Sequence, residues 1–182
     1  MEIILIRHGK PTGAINPKLS AVGFENWVSN YNLSKIEAGS LPPKELGGSL
    51  SSHFIVGSDL PRSVDSACLC VNKEPDLKLK ELREMDIPSH KFPFEFKAYT
   101  WLTINRILWL LGFSGKVESF KAAKVRAKSS AEKLHELATQ HGKVAVFGHG
   151  LMNKYMTKEL SKLGWNSTSK GKEYWSATIL KI

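Results

Sequence analysis

Two short apolar runs at opposite ends of the sequence stop in the same way. Ile3-Ile4-Leu5-Ile6 leads into Arg7-His8-Gly9, and Lys143-Val144-Ala145-Val146-Phe147 leads into Gly148-His149-Gly150. A short unbroken run of β-branched and aliphatic residues predicts a strand buried on both faces, the kind found in parallel sheets covered by helices. Such a strand has no structural use for a cation or an imidazole at its end. The carboxyl ends of the strands are, however, where open α/β sheets bind ligands. A glycine at that point lets the backbone turn tightly, or approach a bound group without a Cβ in the way.

The stretches between these runs fit the same scheme. His53-Phe54-Ile55-Val56-Gly57 reads as another buried strand and runs into Ser58-Asp59-Leu60-Pro61-Arg62. Ser58 or Asp59 can cap a helix there, and Pro61 suits its first turn. Leu60, Val64, Ala67, Cys68 and Val71 share one face of that helix. Arg62 then falls at the same sheet edge as Arg7 and His8. The alternation of Leu77, Leu79 and Leu82 within Asp76 to Arg83 predicts a third, shorter strand that delivers Glu81, Arg83, Glu84 and Asp86.

Four further helices are expected. Phe24, Trp27, Val28 and Tyr31 mark the first, with Ser20 as N-cap; Ala98 to Gly112 and Glu118 to His141 are the next two. The last follows Gly150, with Met152, Tyr155, Met156, Leu160 and Leu163 on one face, and Gly171 to Ile182 closes the chain as a strand. Strands alternating with helices predict an α/β fold: a three-layer α/β/α sandwich with a mainly parallel central sheet. At 182 residues the chain fits one domain, 1–182, with cover segments inserted at about 10–52 and 88–115.

Composition narrows the partners. With 42% hydrophobic and 24% charged residues the chain is not of the disordered class. Its 26 Lys+Arg against 17 Asp+Glu give a net charge of +9, which favours anionic partners without choosing among them. Nucleic acid is not expected, because aromatic residues are not interleaved with basic ones. Trp101 to Phe113 is apolar but far short of the roughly 20 residues that span a bilayer, and it holds Asn105 and Arg106, so no membrane segment is expected. The apolar run at Ile3 is too short for a signal peptide. Cys68 and Cys70 are too few for a disulfide framework or a zinc site and read as buried, reduced thiols, which agrees with a cytoplasmic location. Nothing in the sequence reads out an oligomeric state.

Three strand ends thus offer Arg7 and His8, Arg62, and His149, with Glu84 from a fourth segment. Arginine gives bidentate hydrogen bonds to phosphate oxygens and keeps its charge at any relevant pH. Cationic surroundings bias a histidine toward its neutral form, in which a ring nitrogen is a nucleophile. Taken in order, Leu5-Ile6-Arg7-His8-Gly9, Ser58-Asp59-Leu60-Pro61-Arg62, Glu84 after Leu82-Arg83, and Phe147-Gly148-His149-Gly150 resemble the histidine phosphatase superfamily, the phosphoglycerate-mutase-like group.

The resemblance implies a hydrolase of phosphoric monoesters, similar to the histidine acid phosphatases, that needs no metal and no cofactor. His8 would carry a transient phosphohistidine, Arg7, Arg62 and His149 would hold the phosphoryl oxygens, and Glu84 would act as general acid and base. The Gly150 amide would add a donor at a helix N-terminus, and Lys10 and Asn16 are candidate substrate contacts. The substrate would be a small phosphorylated metabolite or a phosphoprotein. Three points stay open on the sequence. Asp86 or Glu81 is an alternative to Glu84, because Met-Asp-Ile-Pro follows it where the family has a glycine-bearing stretch. A mutase-type phosphotransfer is an alternative to hydrolysis. A phosphate-binding protein without turnover is the third reading.

Overall fold

The computed structural model describes residues 1–168, 171 and 173–182. In chain order the strand β1 (Glu2–Arg7), the short β2 (Lys18–Leu19), and the helices α1 (Ala21–Leu33) and α2 (Lys44–Ser49) come first. Then follow β3 (Phe54–Gly57), α3 (Pro61–Val71), β4 (Leu77–Lys78), β5 (Phe96–Lys97), α4 (Ala98–Leu110) and α5 (Phe120–His141). The chain closes with β6 (Lys143–Gly148), α6 (Gly150–Lys162), β7 (Asn166–Ser167) and β8 (Ala177–Lys181).

One six-stranded sheet, in the order β4-β3-β6-β1-β8-β7, organises these elements. β4, β3, β6 and β1 run parallel, and β8 pairs with β1 in the opposite sense. β1 shows why the apolar runs had to be continuous. Ile3 and Leu5 point to the face covered by α5 and α6, where they meet Leu134, Met152 and Met156. Ile4 and Ile6 point to the other face, with Leu50, Ala67 and Trp175. Successive side chains alternate across a sheet, so a strand with helices on both sides needs both parities apolar. The result is a three-layer α/β fold with a mainly parallel sheet.

Outside the sheet, α1 and α4 pack together through Phe24, Trp27 and Trp101, beside the small β2–β5 pair. Ser20 caps α1 by accepting the Gly23 amide, as its position before the first apolar residue predicts. Trp101 and Trp109 are fully buried. Among the described residues no helix is long and apolar enough to cross a membrane.

Several local expectations are corrected. Asp76 to Arg83 holds only the two residues of β4 in strand form and then turns into a 3-10 helix, Lys80–Leu82. The closing strand starts at Ala177, because Trp175 adopts a left-handed φ of 63° that breaks the extended path; Lys172, inside the expected strand, lies outside the described residues. The cover segment at about 10–52 holds structure of its own besides α1, namely β2, α2 and the buried Leu50. In α3 the buried side chains are Arg62, Ser63, Ser66 and Ala67, while Val64, Cys68 and Val71 are half-buried. That helix begins against polar strand ends, whose amides and carbonyls need hydrogen-bond partners more than apolar cover. Cys68 and Cys70 are unpaired and half-buried, and burial raises both thiols, Cys70 to about 11.

Candidate active site

The parallel strands end at one edge of the sheet, and their register sets the site. Arg7 is paired with Gly148, and the His8 amide donates to the Gly148 carbonyl (3.0 Å). The Ser58 amide donates to the Phe147 carbonyl (3.3 Å). His8, Ser58 and His149 are therefore neighbours, although they lie far apart in the chain. The two imidazole centroids are 5.0 Å apart, in an edge-to-face arrangement. His8 is 3% exposed, Arg62 1% and His149 0%.

His8 is held in one defined state. Its Nδ1 lies 2.7 Å from the Gly9 carbonyl, an acceptor only, so Nδ1 carries the proton. Nε2 is left with its lone pair, toward which Arg62 Nε donates at 3.3 Å. Burial, joined by the Arg62 and Arg7 charges, pushes this imidazole down to about 3. It is neutral wherever the protein is folded near neutral pH.

Arg62 is anchored at both ends. Its Nη1 donates to the carbonyls of Tyr31 (3.0 Å) and Asn32 (3.4 Å), near the C-terminus of α1. Its guanidinium lies 4.8 Å from the Tyr31 ring centre. Arg7 is placed similarly, 4.3 Å from the ring centre of Tyr174. Each cation thus rests on the negative face of a tyrosine. At Gly9 a Cβ would meet the Trp175 indole at 2.6 Å. Trp175 donates its amide to the Arg7 carbonyl (3.0 Å) and its Nε1 to Ser40 Oγ (3.0 Å). The glycine makes room for an indole that locks the loop after β1.

His149 is bonded the other way round from His8. Its Nε2 lies 2.7 Å from Ser58 Oγ, and its buried Nδ1 has no hydrogen-bond partner among the described residues. Burial, then the charges around it, hold it well below the ordinary histidine value. Serines on and before α3 complete the frame. Ser63 accepts from the Ser58 amide (2.9 Å) and donates to the Phe147 carbonyl (2.6 Å). Ser66 accepts the Gly9 amide (3.0 Å) and donates to the Arg62 carbonyl (2.6 Å).

Of the three candidate carboxylates, only Glu84 reaches this edge. It lines a cavity of about 520 Å³ together with Arg7 and Gly150. Its oxygens accept the amides of Met85 (3.0 Å), Met152 (2.9 Å) and Leu151 (3.1 Å), so it sits on the N-terminus of α6. Asp86 is turned away, its Oδ2 accepting the Glu118 amide. Glu81 is exposed beside Ser130 and Lys133. Arg126 of α5 braces the whole segment by donating to the carbonyls of Glu81 (2.6 Å) and Arg83 (2.8 Å) and pairing with the Glu118 carboxylate.

Lys10 and Asn16 are engaged elsewhere. Lys10 pairs with Glu37 at 2.9 Å, half-exposed, and Asn16 accepts the Tyr99 amide (2.9 Å) at the start of α4. Sequence reasoning did not single out Ser58, Tyr31, Tyr174, Trp175 or Arg126 as site residues. Ser58 was legible as a polar residue directly after a buried strand. The others carry no local signal, since an arginine in a basic helix and an aromatic in an amphipathic segment are ordinary. Among the described residues no group of three or more His, Cys, Asp or Glu is arranged to hold a metal ion.

The model of the histidine phosphatase superfamily (branch 1) matches residues 3–174. No curated protein matches the sequence. Among solved structures, the chain is similar to a phosphoserine phosphatase from Entamoeba histolytica in complex with 3-phosphoglyceric acid: 17% identity, 98% of this chain and 89% of the other covered, TM-score 0.60. A mycobacterial glucosyl-3-phosphoglycerate phosphatase gives 18% identity, 99% and 92% coverage, and a TM-score of 0.58. A phosphoglycerate mutase from Bacillus anthracis gives 19% identity, 98% and 86% coverage, and a TM-score of 0.56. At these identities the likeness is one of fold.

Proposed function

The chain belongs to the histidine phosphatase superfamily, and we propose that it is a phosphomonoester hydrolase that works through a phosphohistidine on His8. The observation that carries this reading is the state of that imidazole: Nδ1 is committed to the Gly9 carbonyl, and Nε2 keeps a lone pair beside two arginines. A neutral, oriented ring nitrogen is what in-line attack on phosphorus needs.

In the first step Nε2 forms a bond to phosphorus as the phosphorus–oxygen bond to the alcohol breaks, and the leaving oxygen takes a proton from Glu84. In the second, water attacks the phosphohistidine and gives a proton to the Glu84 carboxylate. The nitrogen–phosphorus bond breaks, and phosphate and neutral His8 are restored. Little covalent work falls to the rest of the protein, so fixed charge around the phosphoryl oxygens supplies most of the catalysis. Arg7, Arg62 and the Gly150 amide take that part. His149 joins them if Ser58 donates to its Nε2, because Nδ1 then carries a proton toward the anion.

Glu84 accepts three amides, the arrangement of a carboxylate, which is its state for the second step. It has to be protonated for the first. This clasp is the single observation that favours the alternative reading, a phosphate-binding protein without turnover. The two readings separate in one assay. Hydrolysis of an aryl phosphate by the wild type and its loss in His8→Ala, with an acid-labile, base-stable phosphoenzyme after rapid quench, is the expected result. Equal turnover by both proteins, or none by either, overturns the proposal. Glu84→Gln is expected to slow esters with poor leaving groups far more than aryl phosphates; a uniform loss removes Glu84 as the proton donor.

A further inference from the structure

The residues around Glu84 have their backbone held by side chains. After Leu82, the end of the 3-10 turn, the chain enters no strand or helix before β5. Carbonyls outside regular structure still need partners when they leave water. Here two guanidinium groups supply them. Arg126 of α5 donates to the carbonyls of Glu81 (2.6 Å), Arg83 (2.8 Å) and Glu84 (3.4 Å). Arg106 of α4 donates to the next two, Met85 (3.1 Å) and Asp86 (2.8 Å).

We propose that Arg106, together with Arg126, is a positioning residue for the proton donor Glu84, so that the cover helix α4 takes part in the chemistry through the backbone that bears the acid. The proposal rests on the phosphatase reading, in which Glu84 protonates the leaving oxygen.

Arg106 is itself tightly placed. Its guanidinium lies 4.6 Å from the ring centre of Trp109, which is fully buried and donates its Nε1 to the Glu118 carbonyl (2.7 Å). The Glu118 carboxylate accepts the Asp86 amide (3.3 Å) and pairs with Arg126. Contacts thus close a ring from Arg106 through Asp86, Glu118 and Trp109 back to Arg106, against the residues that follow Glu84. Burial lowers the Arg106 guanidinium from the ordinary arginine value, and of the charges that oppose this, Glu84 comes first, ahead of Asp86 and Glu118.

Glu84 is consequently fixed at both ends. Its carboxylate is clasped by the amides of Met152 (2.9 Å) and Leu151 (3.1 Å) at the start of α6. Its own carbonyl and those of the two residues after it are clasped by Arg126 and Arg106. A general acid works only within hydrogen-bond reach of the oxygen it serves, and a displacement of about 1 Å costs up to about 10²-fold. A lysine does not substitute for Arg106 here. Its ammonium is a point donor, whereas the planar fork of arginine meets two carbonyls at once.

Arg106→Lys tests this with two esters of similar shape, benzyl phosphate and 4-nitrophenyl phosphate, which differ in how much the leaving oxygen needs a proton. For benzyl phosphate kcat/KM is expected to fall about 10-fold, and for 4-nitrophenyl phosphate by less than about 2-fold. In a Glu84→Gln background the same substitution is expected to change neither by more than about 2-fold, since a brace for an absent acid has nothing left to position. Equal losses on both esters, no loss on benzyl phosphate, or a full benzyl loss that persists beside Glu84→Gln overturns the proposal.

Amide hydrogen exchange reads the placement without turnover. Leu151 and Met152 stand in the first turn of α6, where amides lack intrahelical partners, so their protection depends on Glu84. In Arg106→Lys both are expected to exchange about 10-fold faster, with the amides of Val144 to Phe147 in β6 unchanged as the measure of global folding. Unchanged exchange at Leu151 and Met152, or equal acceleration in β6, overturns the proposal. If the wild type hydrolyses neither ester, the phosphatase reading fails, and exchange alone decides whether Arg106 holds Glu84 in place. Should Arg106→Lys not fold, Arg106→Gln, which keeps an amide donor, takes the same measurements.

Discussion

The ends of β1 and β6 look interchangeable in the sequence and are opposite in the structure. Both are buried strands that finish in His-Gly, and both histidines are buried and held neutral, with centroids 5.0 Å apart. At β1 the ring is tied through Nδ1 to the backbone carbonyl of the next residue, and Nε2 faces Arg62. At β6 the tie is through Nε2 to Ser58, and Nδ1 has no hydrogen-bond partner among the described residues. A carbonyl can only accept, so it forces a lone pair onto the far nitrogen of His8. A hydroxyl can donate, so it allows a proton on the far nitrogen of His149. In the proposed reaction one ring would attack an anion's phosphorus and the other would bind its oxygens. The same dipeptide meets two hydrogen-bonding environments through the polarity of one neighbour.

The sharpest way to break this contrast is to remove each ring in turn. His8→Ala is expected to lower kcat on an aryl phosphate by roughly 10⁴-fold or more and to abolish the phosphoenzyme. His149→Ala is expected to cost about 10²- to 10³-fold while rapid quench still traps label. If the label vanishes in the second variant and survives in the first, the roles are exchanged.

Ser58→Ala attacks the tie itself. It removes the hydroxyl bonded to His149 Nε2 and frees the ring to adopt either tautomer, with an expected loss of about 5- to 10-fold in kcat/KM. The corresponding change at β1 cannot be made with a side chain, because the partner is a backbone carbonyl, and the comparison therefore predicts that only one of the two ties is mutable. Thermal unfolding of the variant checks that the loss is not one of stability.

A smaller effect is expected where an arginine meets its tyrosine. Tyr174→Leu takes the π face from under Arg7 and is expected to raise KM by about 3- to 10-fold with little change in kcat. Tyr174→Phe keeps the face and is expected to restore most of it. A loss in Tyr174→Phe equal to that in Tyr174→Leu would assign the effect to the hydroxyl.

The last prediction concerns stability. The unfolded chain binds a proton at His8 near 6.5, and the folded chain only near 3. Between those values the unfolded state carries more protons, so stability falls as pH drops through that window and is fully present above it. His149, also lowered, adds in the same direction. His8→Gln is expected to flatten the acid side of a plot of Tm against pH by roughly a few degrees. An unchanged slope would show that the protons go elsewhere.

Much of this arrangement was legible because its elements are periodic and local. The parity of Ile3 to Ile6 and of Val144 to Phe147 required helices on both faces of a parallel sheet. Pro61 required a helix start directly after β3, which put Arg62 at the edge where Arg7 and His8 emerge. Where reading was less complete, the competing force can be named. Apolar periodicity pointed α3 inward through Val64 and Cys68, but the polar strand ends drew Arg62, Ser63 and Ser66 inside. Leucine alternation gave a strand through Leu82, yet after Lys78 the chain leaves the sheet in a 3-10 turn, carrying Glu84 to the start of α6. The choice of Glu84 over Asp86 and Glu81 follows from that turn and from Arg126, neither of which has a periodic signature.

What the sequence determined by itself is the kind and order of groups at one sheet edge: two arginines, two histidines and a carboxylate on successive strand ends. Spacing within a strand or helix suffices for that, because backbone geometry is the same in every protein. Only the tertiary structure decided which nitrogen of each histidine is open, which carboxylate reaches the site, and what lies over the arginines. Those outcomes depend on contacts such as that of His149 with Ser58, 91 residues away, and of Gly9 with Trp175. The polarity of a partner brought close by the fold, rather than the residue's own neighbours in sequence, sets where a proton sits.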